Sequence, residues 1–177
     1  MELLEIMQNR RSIRKYKDED IPKEKLEKIL QAGLLAPNSR NLQPCEYYVI
    51  RDKEILKKLA GVKSWGGGML PGCNAAVIVL GDSEKADTWL EDCSISLSFM
   101  MLMAEEQGVG CCWVQIHLRT DGDGTAAEQN VRELLGVPEK FRIAGLLALG
   151  MPAEKLKPHT LEEIDWNKVK NVTGERK

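Results

Sequence analysis

Apolar residues recur at helical spacing near the N-terminus. Leu3, Ile6 and Met7 predict a short first helix that ends at a run of arginines. A second amphipathic helix is predicted from Pro22, because proline is tolerated in the first turn of a helix. Pro37 closes this helix, and a polar loop follows it.

The rest of the chain alternates helical patterns with short apolar runs. Strands are predicted over residues 47–50, 75–80, 111–115 and 143–149, and helices after Asp52, over 85–107 and over 125–135. The run 75–80 is continuously apolar, which is typical of an interior strand. The helix over 85–107 is apolar around most of its circumference, so we expect it to be central and buried.

Length and composition indicate one globular domain over residues 1–177. The chain has 177 residues, of which 43% are hydrophobic and 29% charged, and this is ordinary for a folded protein with a real core. The formal net charge of −2 argues against a nucleic-acid-binding protein, which usually carries a basic excess.

The first residues do not have the character of a secretion signal. Glu2 and Glu5 place acid where a signal peptide carries positive charge. No apolar run reaches the length that spans a bilayer. We therefore expect a cytoplasmic protein with no membrane partner.

The C-terminal segment 151–177 is polar enough to leave the globule but carries apolar residues that need a surface. These residues are Leu161, Ile164, Trp166, Val169 and Val172. No partner for them is obvious within the chain, so we expect the segment to dock on a second subunit of a homodimer.

Several common motifs are excluded. The five cysteines are odd in number and contain no C-x-x-C, and the two histidines have no ligand spacing, so neither a disulfide framework nor a metal site is predicted. Gly108-Val109-Gly110 follows a helix and lacks the third glycine of a dinucleotide fingerprint. Most thiols are expected to be small buried filler, with a redox role left open.

A compact basic cluster follows the first helix. It comprises Arg10, Arg11, Arg14, Lys15 and Lys17, with Ser12 among them, and three acidic residues end it. Arginine meets phosphate oxygens in pairs, so the cluster could hold a phosphorylated cofactor. A solvated basic face at a helix end is an equal alternative on this segment alone.

Three segments together carry a family resemblance. They are the basic stretch 10–16, the loop Ala36-Pro37-Asn38-Ser39-Arg40-Asn41-Leu42-Gln43-Pro44, and the long helix that ends at Gly108 and is followed by 111–115. In this order they resemble the FMN-dependent nitroreductase family. The resemblance implies an α+β fold with a central mixed, mainly antiparallel sheet flanked by helices. It also implies an intertwined homodimer in which the C-terminal tail is exchanged onto the partner.

The resemblance further implies which residues bind FMN. They are Arg10, Arg11, Ser12 and Arg14 in the basic segment, Pro37, Asn38, Ser39 and Asn41 contributed by the partner subunit, Trp113, Val114 and Gln115 along the flavin, and Lys157 at the phosphate. Arg14 would lie near the pyrimidine edge of the flavin. Two departures stand out: Cys45 replaces the usual tryptophan after Gln43-Pro44, and Gln115 replaces a frequent glutamate.

The implied function is a flavin oxidoreductase that takes hydride from NADH or NADPH. Acceptors would be nitroaromatics, quinones or similar small conjugated molecules, reduced by a ping-pong transfer through the flavin N5 atom. No catalytic side chain is required, because the cofactor carries the chemistry. Two alternatives are another flavin reaction on the same scaffold, such as dehalogenation or dehydrogenation, and a non-enzymatic anion or RNA binder with steeply salt-dependent binding.

Overall fold

The computed structural model describes residues 2–172. In this part of the chain five α-helices and four strands alternate in an α+β arrangement. The helices are α1 (Leu3–Asn9), α2 (Lys23–Leu34), α3 (Lys53–Leu59), α4 (Trp89–Glu106) and α5 (Ala127–Leu135), and the strands are β1 (Cys45–Ile50), β2 (Ala75–Asp82), β3 (Gly110–Gln115) and β4 (Phe141–Gly150). Each strand ends within two residues of the bounds expected from the sequence.

The strands form one sheet in the order β1-β2-β4-β3. Neighbouring strands run antiparallel, and a register shift interrupts the pairing of β2 with β4 between Val79 and Leu80. The parallel element of the expected mixed sheet is a single bridge between Ser12 and Cys111, at the β3 edge. The N-terminal segment therefore lies beside β3 as a partial fifth strand.

Helices cover both faces of the sheet, and this explains the continuous apolar run in β2. On one face Ile78 packs with the buried residues of α3 and α5. On the other face Val77 packs with buried residues of α2 and α4, including Met100. Successive side chains of a strand point to opposite faces, so a strand covered on both sides needs apolar residues at every position.

A local capping signal sets the start of α3 but not the start of α4. The Asp52 carboxylate accepts a hydrogen bond from the Ile55 amide at 2.9 Å and caps α3, as predicted. The helix predicted from residue 85 begins only at Trp89. The Asp82 carboxylate accepts hydrogen bonds from the Glu84 and Lys85 amides, at 3.1 Å each, and holds a turn there instead.

The central helix is less buried than its sequence predicts. One face of α4 packs on the sheet and on α2, but Ile95 and Phe99 are 37% and 41% exposed in the single chain. Trp166 in the C-terminal tail is 71% exposed, and Leu161, Ile164, Val169 and Val172 are exposed as well. None of the helices within residues 2–172 combines the length and apolar character needed to cross a membrane.

Candidate functional site

The basic segment runs along the edge of β3. The Ile13 amide donates a hydrogen bond to the Cys111 carbonyl at 2.9 Å, next to the Ser12–Cys111 bridge. Ile13 itself is buried and fixes the segment against the globule. The arginines on either side of it are consequently held beside the strand that carries Trp113.

A cavity of about 550 Å³ opens where this segment meets the end of β3. We call it the cationic cavity, because Arg14, Lys63 and Arg119 line it and no carboxylate is among its described lining residues. Trp65 and Trp113 add two indole rings to its wall. Three cations beside flat aromatic surfaces suit a conjugated ligand that carries negative charge.

Two loops are tied together to form the wall of the cationic cavity. The Ser64 amide donates to the Thr120 carbonyl at 3.0 Å, and the Ser64 hydroxyl donates to the same oxygen at 3.2 Å. The Lys63 ammonium donates to the Gln115 carbonyl at 2.8 Å. The chain turns after β3 through Leu118, whose φ of 57° is rare for a residue with a side chain. These contacts bring Lys63 and Arg119 into one site.

The electrostatics of the cationic cavity favour an anion. Burial lowers the pKa of Lys63 below its ordinary value, and the positive charge of Arg119 lowers it further. Two cations that repel each other gain from a ligand that supplies negative charge between them. Lys63 is therefore a group whose protonated form a bound anion would stabilise.

Arg10 has a buried side-chain donor that is free to bind a ligand. Its Nη1 atom is buried and has no hydrogen-bond partner among the described residues. A buried donor without an acceptor costs about 1–3 kcal/mol, so such groups usually have a partner in the functional state. The cationic cavity offers guanidinium, ammonium and hydroxyl donors, and none of its described lining residues is a competing carboxylate. Together with the Arg10 guanidinium, these donors fit the phosphate and ring oxygens of FMN.

The three residues expected along a flavin have different orientations. The side chains of Trp113 and Gln115 line the cationic cavity, whereas Val114 is 1% exposed and points into the core, so only its backbone can reach a ligand. Trp113 Nε1 donates to Gln115 Oε1 at 2.9 Å, and Gln115 Nε2 donates to the His117 carbonyl at 3.1 Å. The Gln115 amide is thus used to fix the indole.

The loop after α2 lies apart from the cationic cavity in the single chain. Pro37 and Asn38 line a different cavity of about 260 Å³, and the two cavities share no lining residue. The Ser39 amide donates to the Asp92 carboxylate of α4 at 2.9 Å, and Asn38 Oδ1 accepts from the Gln43 amide at 2.7 Å. One chain therefore does not bring Pro37, Asn38 and Ser39 to the residues around Arg14.

Backbone strain is concentrated in this loop. Arg40, Asn41 and Gln43 have φ values of 53°, 53° and 49°, in the left-handed region that residues with side chains seldom adopt. Strained backbone persists where the surrounding structure holds it, and it clusters at ligand sites. The surrounding structure therefore holds Asn41 and its neighbours in one defined backbone conformation.

Arg11 and Lys157 meet in a third region. The Arg11 guanidinium donates to the backbone carbonyl of Lys157. Arg11 also lines a cavity whose wall includes Pro152, Glu154, Lys155, Leu156 and Pro158. The Lys157 side chain is exposed and lines none of these cavities. Its role at a phosphate stays a prediction.

Sequence reasoning missed part of the cationic cavity. The sequence alone assigns no role to Lys63, Ser64, Arg119 or Thr120, and no ligand to the loop that begins at Trp65, yet all of them line this cavity. The signal that could have found them is the position of Lys63 just after α3 and of Arg119 just after β3. Connections that follow strands and helices are where binding residues concentrate.

The chain is similar to known proteins over most of its length. The family described as "Nitroreductase family" matches residues 7–66 and 63–151. A protein of Archaeoglobus fulgidus with the provisional name NADH dehydrogenase/NAD(P)H nitroreductase is 37% identical over 158 residues, which cover 87% of each chain.

Solved structures agree with this match. An FMN-dependent nitroreductase from Clostridium difficile R20291 has a TM-score of 0.93 and 39% identity, over 96% of this chain and 99% of that chain. A nitroreductase with bound FMN from Bacteroides fragilis NCTC 9343 has a TM-score of 0.76 and 25% identity, over 98% and 100% of the two chains. The resemblance found in the sequence is confirmed: the chain belongs to the nitroreductase family.

Proposed function

We propose that the protein is an FMN-dependent NAD(P)H oxidoreductase that reduces nitroaromatics, quinones or similar conjugated acceptors. The observation that carries the proposal is the cationic cavity, in which three cations and two indoles meet and no described residue contributes a carboxylate. Relatives named as NAD(P)H nitroreductases and a structural neighbour named as FMN-dependent support the same assignment.

Each group of residues has a separate task. Arg10, Arg11 and Ser12 would hold the phosphate, because the guanidinium fork pairs with two oxygens and the hydroxyl adds a donor. Arg14 and Lys63 would bind the electron-rich edge of the ring system, where a fixed cation stabilises negative charge.

FMN supplies the redox chemistry when bound, accepting hydride from a reduced nicotinamide and returning electrons to the acceptor. The chain supplies binding, orientation and charge. Trp113 and Gln115, locked by their mutual hydrogen bond, form a rigid wall beside the reactants. The donor and the acceptor would use the one cationic cavity in turn, which is the ping-pong order.

We propose that the functional form is a homodimer. Apolar residues of α4 and of the tail, including Phe99 and Trp166, are exposed in the single chain. A partner subunit would bury them. The loop around Asn38, which lies apart from the cationic cavity of its own chain, would complete the site of the partner. The tail from residue 151 would extend over that partner, and its last residues, 173–177, lie outside the described part of the chain.

The test is reconstitution of the purified protein with FMN, followed by anaerobic addition of NADH or NADPH. We expect one FMN per chain to be retained through gel filtration, and its visible absorbance to bleach on reduction and return when a nitroaromatic or a quinone is added. Protein that retains no FMN after incubation with excess cofactor would refute the proposal. A reduced protein that no nitroaromatic or quinone reoxidises would refute the acceptor class alone.

A further inference from the structure

Two cysteine thiols, far apart in the sequence, lie next to each other beneath the strained loop. Cys45 Sγ and Cys93 Sγ are 3.5 Å apart, one at the start of β1 and the other in the second turn of α4. Cys93 is fully buried, whereas Cys45 is partly buried and lines the cavity of about 260 Å³ that also contains Asn38. This pair has no part in the proposed flavin chemistry.

The close approach of the two thiols depends on the glycine at position 81, which has no side chain. Gly81 is the residue paired with Cys45 across β1 and β2. A Cβ atom at Gly81 would lie 3.0 Å from Cys93 Sγ and 2.8 Å from the Trp89 ring. Glycine at this position leaves the space in which the helix thiol reaches the strand thiol.

The two thiols are not equivalent. Either thiol can donate in this contact. With Cys93 as the donor, the hydrogen bond lowers the pKa of Cys45, although burial and the nearby Asp92 carboxylate oppose the shift. The same contact, together with burial, raises the pKa of Cys93. Cys45 is therefore the thiol that ionises first, and it is also the one with access to solvent through a cavity.

We propose that Cys45 and Cys93 form a peroxide-sensitive dithiol, with Cys45 as the attacking and Cys93 as the resolving cysteine. The Cys45 sulfur attacks one oxygen of hydrogen peroxide, so that an S–O bond forms, the O–O bond breaks, and hydroxide leaves as water with the thiol proton. The Cys93 sulfur then attacks the Cys45 sulfur, so that the S–S bond forms, the S–O bond breaks, and the hydroxyl leaves as a second water with the Cys93 proton. Overall two thiols and one peroxide give one disulfide and two waters.

The disulfide would fasten the strained loop to the central helix. Cys45 directly follows the loop, and the loop already contacts α4 through the Ser39 amide and Asp92, the residue before Cys93. A sulfur–sulfur bond of about 2 Å requires the two thiols, now 3.5 Å apart, to approach each other by about 1.5 Å. Oxidation would therefore restrain the end of the loop against α4.

The test treats the intact, reduced protein with one equivalent of hydrogen peroxide and then blocks the remaining thiols with an alkylating agent. Free thiols should fall from five per chain to three, because the disulfide consumes two, and dithiothreitol should restore them. Trypsin followed by a glutamate-specific protease separates Cys93 from Cys111 and Cys112, since Glu105 and Glu106 lie between them. We expect peptide 41–46 cross-linked to peptide 92–105.

The control variants separate this pair from the other thiols. Cys45→Ser should abolish the cross-link, whereas Cys73→Ser should leave it intact, because the Cys73 thiol instead donates to the Leu70 carbonyl. Cys45 is partly exposed, so its serine variant should fold, and circular dichroism checks this. Sulfinic acid at Cys45 without a cross-link, a cross-link between chains, or five thiols that survive the peroxide would each overturn the proposal.

Discussion

The Glu128 carboxylate accepts two hydrogen bonds from the Arg142 guanidinium, at 3.1 and 2.9 Å. It also accepts from the Ile143 amide at 2.9 Å and lies 3.2 Å from His117 Nδ1. Helix α5 is in this way fixed to β4 and to the segment that follows β3. The Glu128 cluster therefore supports the turn that carries Arg119 into the cationic cavity.

Replacing Glu128 should destabilise the protein and alter its acid sensitivity. Burial opposes ionisation of Glu128, but its hydrogen bonds from Arg142, Ile143 and His117 outweigh burial and lower its pKa. A depressed pKa gives stability that is complete above the unfolded-state value, near 4.3, and is lost as the pH falls through the folded-state value. We expect Glu128→Gln to cost about 1–3 kcal/mol at neutral pH.

Chemical denaturation at several pH values measures this effect. The difference in unfolding free energy between the wild type and Glu128→Gln should shrink below pH 4. Glu133→Gln on the same helix, where the carboxylate only accepts from Gln129 at the surface, is the control and should have little effect. A constant difference across the pH range would contradict the assignment.

Loss of either key arginine should weaken FMN binding. Each charge-assisted hydrogen bond contributes about 1.5–3 kcal/mol, so Arg14→Ala or Arg10→Ala should raise the Kd for FMN roughly ten- to a hundred-fold. Fluorescence titration of FMN into the apoprotein measures the change. Arg51→Ala, at an exposed position that lines none of the described cavities, is the matched control. Unchanged affinity in both site variants would remove these residues from the binding site.

Trp166 in the tail should be needed for dimerisation. Its indole is 71% exposed in the single chain, and burial of an aromatic side chain at an interface contributes about 3 kcal/mol. Trp166→Ala should therefore weaken the dimer roughly a hundred-fold, and sedimentation velocity at low protein concentration would detect monomer. Lys168→Ala, an exposed polar neighbour, should leave association unchanged. A wild-type protein that sediments as a monomer would refute the dimer itself.

Gly150 should not tolerate a side chain. A Cβ atom there would lie 2.5 Å from Asn74 Oδ1 and 2.7 Å from the Tyr16 ring, so the N-terminal segment would have to shift. We expect Gly150→Ala to lower the unfolding free energy by about 1–3 kcal/mol. Thermal unfolding measures the loss, and Gly122→Ala, where a Cβ would meet open space, serves as the comparison. Equal melting temperatures for the two variants would contradict the crowding at Gly150.

Most elements of the fold could be predicted from the sequence. Strand β2 was found within two residues because its run of apolar residues is a local signal, and the Asp52 cap was found because capping needs only the next three residues. The helical pattern predicts a start of α4 at residue 85, four residues before the observed one, since the turn held by the Asp82 carboxylate competes with helix formation there.

The sequence predicts the site only in part, because the residues that line a cavity are distant from one another along the chain. The basic segment and Trp113 were recognisable from composition and from family resemblance, but nothing in the local sequence joins Lys63 to Arg119. These residues belong to loops whose meeting depends on the Ser64–Thr120 hydrogen bonds.

The sequence by itself determined most of the secondary structure, the family and the basic segment, because hydrophobic periodicity and short motifs depend only on residues that are close together in the chain. Only the tertiary structure decided which cations share a cavity, that Val114 faces the core, and that the Cys45 and Cys93 thiols touch. Those relations depend on how β1, β3 and α4 pack, and packing joins residues that are distant along the chain.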